Sequence, residues 1–324
     1  MKDIPTIDFA DLDHASTRDV LDRACREWGF FYLTGHGVDK QFIGQMQTVM
    51  QCFFALPSAQ KKAVERTVEN PWGFYDRELT KNVRDWKEIF DVGPDISTHA
   101  LSGARAQWPD ESAPGLQGFR STVIAFSAAC EAMAMRLLQA ISQNLGMPAQ
   151  YLNSSFGADH TSYQRLNYYP PCSLPAPADA PHVPVTGHLG ISHHTDSGAI
   201  TVLLQDAQPG LQMWQGDRWH LIAPHADALV INIGDVVQVW SNDRYRAPLH
   251  RVLAHASTPR YSAPYFYNPD YAAVYEPLPG ACDSAHPPRY QPISWGEFRA
   301  ARAVGDYADQ GEEVQISDYR INTT

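Results

Sequence analysis

Cysteine is scarce and scattered in this chain. Cys25, Cys52, Cys130, Cys172 and Cys282 are odd in number, far apart, and form no Cys-x-x-Cys pair. That spacing gives no disulfide framework and suits free thiols in a reducing cytoplasm. Basic charge is also short. Lys and Arg number 25 against 36 Asp and Glu, for a formal net charge of −11. A nucleic-acid or anionic-membrane partner is therefore disfavoured. The balance says nothing of a substrate, since a basic pocket can sit inside an acidic protein. No apolar run reads as long enough to span a bilayer. The segment Met1-Lys-Asp-Ile-Pro-Thr-Ile-Asp-Phe9 lacks the charged-then-apolar pattern of a signal peptide. Internal repeats and low-complexity tracts are missing too. These absences together predict a cytoplasmic protein without a membrane or nucleic-acid partner. Oligomeric state is left open, with a monomer sufficient.

What is present is a globular composition, 44% hydrophobic and 19% charged over 324 residues. Such a chain can bury one large core or two ordinary ones. No polar linker divides it, so the expectation is a single domain over residues 1–324. A mainly helical part covers 1–160, a β-rich core 161–270, and an extension with a short helix 271–324.

In the first part, Ser16 and Asp19 stand at capping-box spacing ahead of Val20, Leu21, Ala24, Cys25 and Trp28. This predicts an amphipathic helix ending at Gly29. Phe30-Phe-Tyr-Leu33 reads as a buried strand, closed by the turn signal Gly35-His-Gly37. Phe42, Ile43, Met46, Val49, Met50 and Phe53 then mark one face of a second helix, stopped near Pro57. Residues 66–112 are mixed and give neither helix nor strand. A long helix is predicted from about Leu116 to Leu145, its stripe of Phe119, Val123, Phe126, Met133, Leu137 and Ile141 facing a core.

From Ser162 the pattern changes to short β-rich runs between turn residues. They are Ser162–Tyr169, Ala199–Leu204, Leu211–Trp214, Trp219–Ile222, Ala228–Ile233, Val236–Trp240, Leu249–Leu253 and Tyr261–Tyr267. Runs so spaced predict an antiparallel barrel or jelly roll, mainly β with flanking α, buttressed by the N-terminal helices. Pro170–Gly190, rich in Pro and Ala, reads as a long loop. Ser294 and Glu297 again stand at capping-box spacing, before a last short helix.

The chemistry lies in the stretch Gly187–Asp206. His194 and Asp196 are two residues apart and lead into Ile200-Thr-Val-Leu-Leu204. On a strand, residues i and i+2 share a face, so the imidazole and the carboxylate would point to one place. Two His and one carboxylate hold non-haem Fe(II) with open coordination positions. The motif alone is weak. With thirteen histidines, roughly one His-x-Asp is expected by chance at ordinary composition. His225-Ala-Asp227 is indeed a second one, but it sits in a turn between strands. His250, before Arg251-Val-Leu253, lies far enough downstream of Asp196 to return as third ligand. His193 should face away from the metal, and His188 and His255 read as loop residues or as support behind the ligands. Two further pairs share strand faces: Arg260 with Ser262, a seat for a carboxylate, and Asn167 with Tyr169.

The order His194-x-Asp196, His250, Arg260-x-Ser262, preceded by Asn167-Tyr-Tyr-Pro170, resembles the Fe(II)- and 2-oxoglutarate-dependent dioxygenases of the isopenicillin N synthase-like group. Leu229-Val-Ile-Asn-Ile-Gly-Asp235, Trp240-Ser-Asn242, His250-Arg-Val252 and Phe266-Tyr-Asn-Pro269 agree, as do Ile4-Pro-Thr-Ile-Asp8, Gly29-Phe-Phe31, Gly35-His-Gly37 and Asp85-Trp-Lys-Glu88. The resemblance covers nearly the whole chain. It implies a double-stranded β-helix (jelly-roll) core with flanking helices. It implies Fe(II) on His194, Asp196 and His250, and 2-oxoglutarate on Arg260 and Ser262, helped by Tyr169 and Asn167. It further implies an enzyme that uses O2 to hydroxylate or otherwise oxidise a small molecule, releasing succinate and CO2. The chain departs from plant-type members in its longer Pro/Ala-rich loop, so substrate residues do not carry over. Two alternatives stand beside this reading: a same-fold iron oxidase that needs no 2-oxoglutarate, and a metal-holding barrel without turnover.

Overall fold

The computed structural model describes residues 4–95, 103–182, 186–309 and 311–321. Readings made for residues 1–3, and for the parts of the mixed stretch and of the Pro/Ala-rich loop at 96–102 and 183–185, lie outside the described residues.

The first part is not purely helical. It holds β1 (Thr6–Asp8), α1 (Ala15–Glu27), β2 (Phe30–Thr34), α2 (Lys40–Phe54), α3 (Ser58–Lys62), β3 (Gly73–Tyr75), β4 (Leu79–Thr80), β5 (Val83–Arg84), β6 (Glu88–Val92) and α4 (Phe119–Asn144). The β-rich part holds β7 (Tyr163–Tyr169), β8 (Leu189–His194), β9 (Ile200–Gln205), β10 (Leu211–Gln215), β11 (Arg218–Leu221), β12 (Leu229–Ile233), α5 (Asp235–Trp240), β13 (His250–Leu253) and β14 (Arg260–Tyr267). The extension adds β15 (Val274–Tyr275), β16 (Ile293–Ser294) and α6 (Trp295–Val304).

Two sheets make the jelly-roll core. The larger has the order β1-β2-β12-β9-β14-β7-β6-β3, and the smaller β11-β10-β13-β8. Strands of the N-terminal part thus complete both ends of the large sheet, β2 pairing antiparallel with β12 through Leu229↔Leu33.

Alternation along the large sheet sorts its side chains into two cores. Phe30, Leu203 and Val230 meet Leu211, Met213 and Val252 of the small sheet in one cluster. Their strand neighbours Phe31, Val202, Leu204, Leu229 and Ile231 join the larger cluster with helices α1, α2 and α4. Each of these strands is therefore apolar on both faces, which is why the runs read as continuous rather than alternating. Gly29 turns the chain from α1 into β2 at φ 65°, where a Cβ would lie 2.7 Å from the Arg246 carbonyl oxygen.

Helix α4 corrects one reading. Over an 18-residue window its mean hydropathy is 1.3, so by length and composition alone it is long and apolar enough to cross a membrane. Here it is a core helix, packed on β9 and β14 and against α1 and α2. Three local readings also bear on the outcome. Val236–Trp240 is not a strand but part of helix α5. Its Val236, Val237, Val239 and Trp240 are all buried, and a short segment buried all round carries no period to distinguish strand from helix. Helix α1 begins after His14 with no side-chain cap, so Ser16 and Asp19 form no capping box. Helix α2, by contrast, is capped by Asp39, which accepts from the Gln41 and Phe42 amides. At α6 the expected cap is present, Ser294 accepting from the Glu297 amide at 3.4 Å.

Candidate metal centre and its cavity

His194, Asp196 and His250 come together as the sequence pattern predicts, with one potential ligand atom from each within 4.8 Å of the others. The route differs in one respect. His194 ends β8 in the small sheet, Asp196 lies in the turn beyond it, and Ile200 opens β9 in the large sheet. The His-x-Asp therefore does not open one continuous strand; it spans the crossing between sheets. His250 enters from β13, directly opposite His194 in the register. Gly234 makes room for the turn. A Cβ there would lie 2.2 Å from the Gly198 carbonyl oxygen and 2.8 Å from that of Asp196.

The donor set is prepared for a cation. His194 Nδ1 faces the Ser192 carbonyl at 2.8 Å and His250 Nδ1 the Pro248 carbonyl at 3.0 Å. Donating Nδ1–H to a carbonyl leaves the Nε2 lone pair of each ring free. Both Nε2 atoms lie 3.6 Å from Asp196 Oδ1. Asp196 Oδ2 is occupied instead, accepting from Asn232 Nδ2 at 2.7 Å and from Thr201 Oγ1 at 2.5 Å. One carboxylate oxygen is thus pinned and the other presented. Burial resists charge on Asp196, but His250, His194 and Thr201 outweigh it and hold the carboxyl well below its ordinary value. Burial, with His194 adding, pushes His250 down to about 4, so its imidazole is neutral near pH 7. An ionised carboxylate beside imidazoles with free lone pairs is the donor chemistry of a 2-His-1-carboxylate iron site.

The rival histidines are elsewhere. His193 turns to the His182 carbonyl, and His225 lies against Tyr32 while Asp227 pairs with Lys40. His188 packs on Trp86, and His255 contacts Pro209 and Gln208.

The second predicted group also assembles. Arg260 pairs with Tyr169, and Ser262 with Asn167, across β14 and β7. The Arg260 guanidinium lies 5.0 Å from the Tyr169 ring centre, and Asn167 Nδ2 donates to Ser262 Oγ at 3.3 Å. Arg260 is 1% exposed, yet only its Nη2 has a protein hydrogen-bond partner, Gln205 Oε1 at 2.8 Å. Its Nε and Nη1, and Asn167 Oδ1, are buried without partners. Orphaned polar atoms of this kind, two donors and one acceptor, are costly unless a ligand completes them. These residues and the triad line one cavity of about 260 Å³.

Other parts of the site are not legible beforehand. Thr201, Asn232 and Gln205 are polar residues in apolar strands, a signal visible only once Asp196 and Arg260 are placed. Asp85-Trp-Lys-Glu88, a motif without an assigned role at the level of sequence, ties the sheets together. Asp85 Oδ1 accepts from the Ser192 amide at 3.0 Å, and Trp86 Nε1 donates to the Pro170 carbonyl at 3.1 Å. The described part of the Pro/Ala-rich loop is held by Arg251, whose guanidinium donates to the carbonyls of Ala178, Ala180 and Pro181.

Comparison with known proteins agrees with this geometry. The sequence model of the 2OG-Fe(II) oxygenase superfamily matches residues 160–269, and that of the non-haem dioxygenase N-terminal region (named for morphine synthesis) matches 4–111. Protein DMR6-LIKE OXYGENASE 1 of Arabidopsis thaliana is 33% identical over 85% of this chain and 75% of its own. A structure of JOX2 in complex with 2OG, Fe and JA superposes with a TM-score of 0.80 at 27% identity, covering 99% of this chain and 90% of that one. A full-length Neurospora crassa protein in complex with alpha-KG gives a TM-score of 0.80 at 27% identity, over 93% and 95% of the two chains. Likeness this extensive, in sequence and in fold, makes the chain a member of the 2OG-Fe(II) oxygenase superfamily, an oxidoreductase that uses Fe(II), 2-oxoglutarate and O2 to oxidise a small molecule.

Proposed function

We propose that His194, Asp196 and His250 ligate the iron, and that Arg260 and Ser262 seat the distal carboxylate of 2-oxoglutarate beside Tyr169 and Asn167. The observation that carries this reading is the pair of half-built polar groups facing one cavity: a presented Asp196 Oδ1 between two free Nε2 atoms, and an Arg260 with Nε and Nη1 unpartnered. Bound there, iron and the keto acid supply the oxidising chemistry, leaving succinate and CO2.

The chain's own residues orient and exclude. Thr201 and Asn232 fix which oxygen of Asp196 is offered. Gln205 fixes the Arg260 plane. Phe30, Leu203, Leu211 and Val252 line the same cavity and keep water from it; Phe30 stands edge-on to His250 at 5.5 Å between ring centres. Residues 1–324 act as a single domain in this reading, supported by β2 and β6 belonging to the same sheet as β9 and β14. The enzyme works in the cytoplasm, on a small molecule and not on nucleic acid or a membrane surface, and the reading requires no second subunit. Its acidic balance and free cysteines support that.

Anaerobic addition of Fe(II) and then 2-oxoglutarate should produce a visible charge-transfer band, and O2 consumption should require the keto acid. In a same-fold oxidase that dispenses with 2-oxoglutarate, the open N–H groups of Arg260 would take another carboxylate, so the keto-acid dependence of O2 uptake is what separates the two readings. O2 uptake that is unchanged when the keto acid is omitted would favour that oxidase and sink the present assignment.

A further inference from the structure

The cavity wall is also charged beyond Arg260: Asp306 and Glu313 line it, and its remaining cations fall into two kinds. Arg66 pairs with Glu78 at 2.9 Å and Asp91 at 3.0 Å, Arg165 with the same two carboxylates at 2.9 and 2.7 Å, and Lys87 with Glu78 at 2.6 Å and Asp85 at 3.0 Å. Three cations meet three carboxylates, and this network is neutral. Arg299 and Arg302 are different. They stand three residues apart on α6, on one helix face, and both line the cavity. Among the described residues neither has a carboxylate within the 4.0 Å of an ion pair. The guanidinium of Arg299 lies 5.9 Å from the centre of the Tyr163 ring, and Asp91 and Asp306 act on it only from beyond ion-pair distance. Arg302 donates to two backbone carbonyls, those of Val314 and of Thr195, the latter one residue before Asp196. Asp235 acts on Arg302 from beyond ion-pair distance. The helix that carries both arginines is firmly seated, with Trp295 and Phe298 buried and Trp295 Nε1 bonded to Thr161 at 2.8 Å.

Two cations without carboxylate ion pairs, on a rigid element beside a closed site, form a seat for an anion. Next to them the wall is aromatic: Tyr163 lies 5.7 Å from Trp72 and 4.9 Å from Phe266 between ring centres. We propose that the substrate is a small organic anion, a carboxylate or a phosphate ester, whose charged group is held by Arg299 with Arg302 beside it and whose apolar body lies along Trp72, Tyr163 and Phe266. The proposal rests on the iron and keto-acid assignment above, since 2-oxoglutarate must occupy Arg260 for these arginines to remain free. Burial lowers the pKa of Arg299, the penalty expected of a cation kept for an incoming partner.

The test is anaerobic calorimetry on the full chain loaded with Fe(II) and saturating 2-oxoglutarate. Matched probes are titrated: cinnamate against cinnamamide, and phenyl phosphate against benzyl alcohol. At least one anion should bind about 10- to 100-fold more tightly than its neutral partner, and the better pair identifies carboxylate or phosphate. Arg299→Gln should remove most of that preference, and Arg299→Lys should restore part of it. Anions binding no better than neutral partners would overturn the proposal. So would a preference that survives the Arg299→Gln, Arg302→Gln double variant. The charge-transfer band is recorded in each sample to separate the two readings. Its absence from the unaltered protein overturns the iron and keto-acid assignment, and this one with it. Its presence there without anion preference overturns the substrate class alone. Its loss in Arg299→Gln only would move Arg299 to the keto-acid site, against the proposal.

Discussion

Arg165 and Arg260 both line one cavity, Arg260 buried and Arg165 nearly so, and they are built in opposite ways. Arg165 uses Nε and both terminal nitrogens on Asp91 and Glu78. Burial alone would lower its pKa, but those two carboxylates outweigh it and raise it well above the ordinary value. Arg260 has one glutamine oxygen and an aromatic face, with Nε and Nη1 left over. A saturated guanidinium is scaffold: its ion pairs join β7 to β6 and to Glu78 at one end of the large sheet. An incomplete one is equipment for a ligand. Burial does not separate the two roles; the count of satisfied donors does.

Substitutions should break this contrast in opposite directions. The largest effect on folding is expected at the saturated site. Arg165→Met leaves Arg66 and Lys87 as the only paired cations, among the described residues, for Glu78, Asp91 and Asp85 in a buried network and should destabilise the protein by about 3–5 kcal/mol, read from the urea midpoint. A midpoint that stays put would mean the network contributes nothing to the scaffold. Arg260→Ala should do the reverse: a KM for 2-oxoglutarate raised about 100-fold, roughly 2.7 kcal/mol of lost binding, with the urea midpoint hardly moved. If both variants lost stability equally, the distinction drawn from donor counts would fail.

The smallest effect is a change in pH dependence. Burial, and then the nearby Glu78, push the Asp306 carboxyl up to about 7. Its unfolded value is about 3.9, so between these values the native state holds a proton that the unfolded state has lost. Stability therefore falls as pH rises through that window. Asp306→Asn should flatten this part of the curve, seen as a smaller drop in Tm between about pH 4 and pH 7 than in the unaltered protein. An identical drop in both would show that Asp306 is not the group titrating.

Much of the fold is readable because the strands around the site are bounded by turn residues and rich in β-branched side chains. Seven of the expected runs, from β7 to β14, appear within a residue or two of their predicted limits. Helix α5 is not readable, because Val236-Val-Gln-Val-Trp240 is apolar on nearly every side. Of the site, the three proposed ligands can be picked out from spacing, since alternation and order constrain them even where the strand ends early. The residues that make them work cannot. Asn232 is one amide in an apolar strand, and its purpose depends on lying beside Asp196, thirty-six positions away in sequence. Arg299 and Arg302 are equally silent, being two of several charges on a short helix until the carboxylates around them are assigned to others.

Strand β2 has a consequence for how the enzyme matures. It is formed from residues near the start of the chain, yet its partner in the sheet is β12, some two hundred residues later, and its Phe30 forms a wall of the His250 pocket. During synthesis β1 can pair with one edge of this strand early, but the strand's other edge must wait for the last third of the protein. Contacts so distant in sequence close late in folding. The pocket proposed for iron is thereby completed late, because His250 and the β12 that holds Phe30 in place both belong to the last third of the chain.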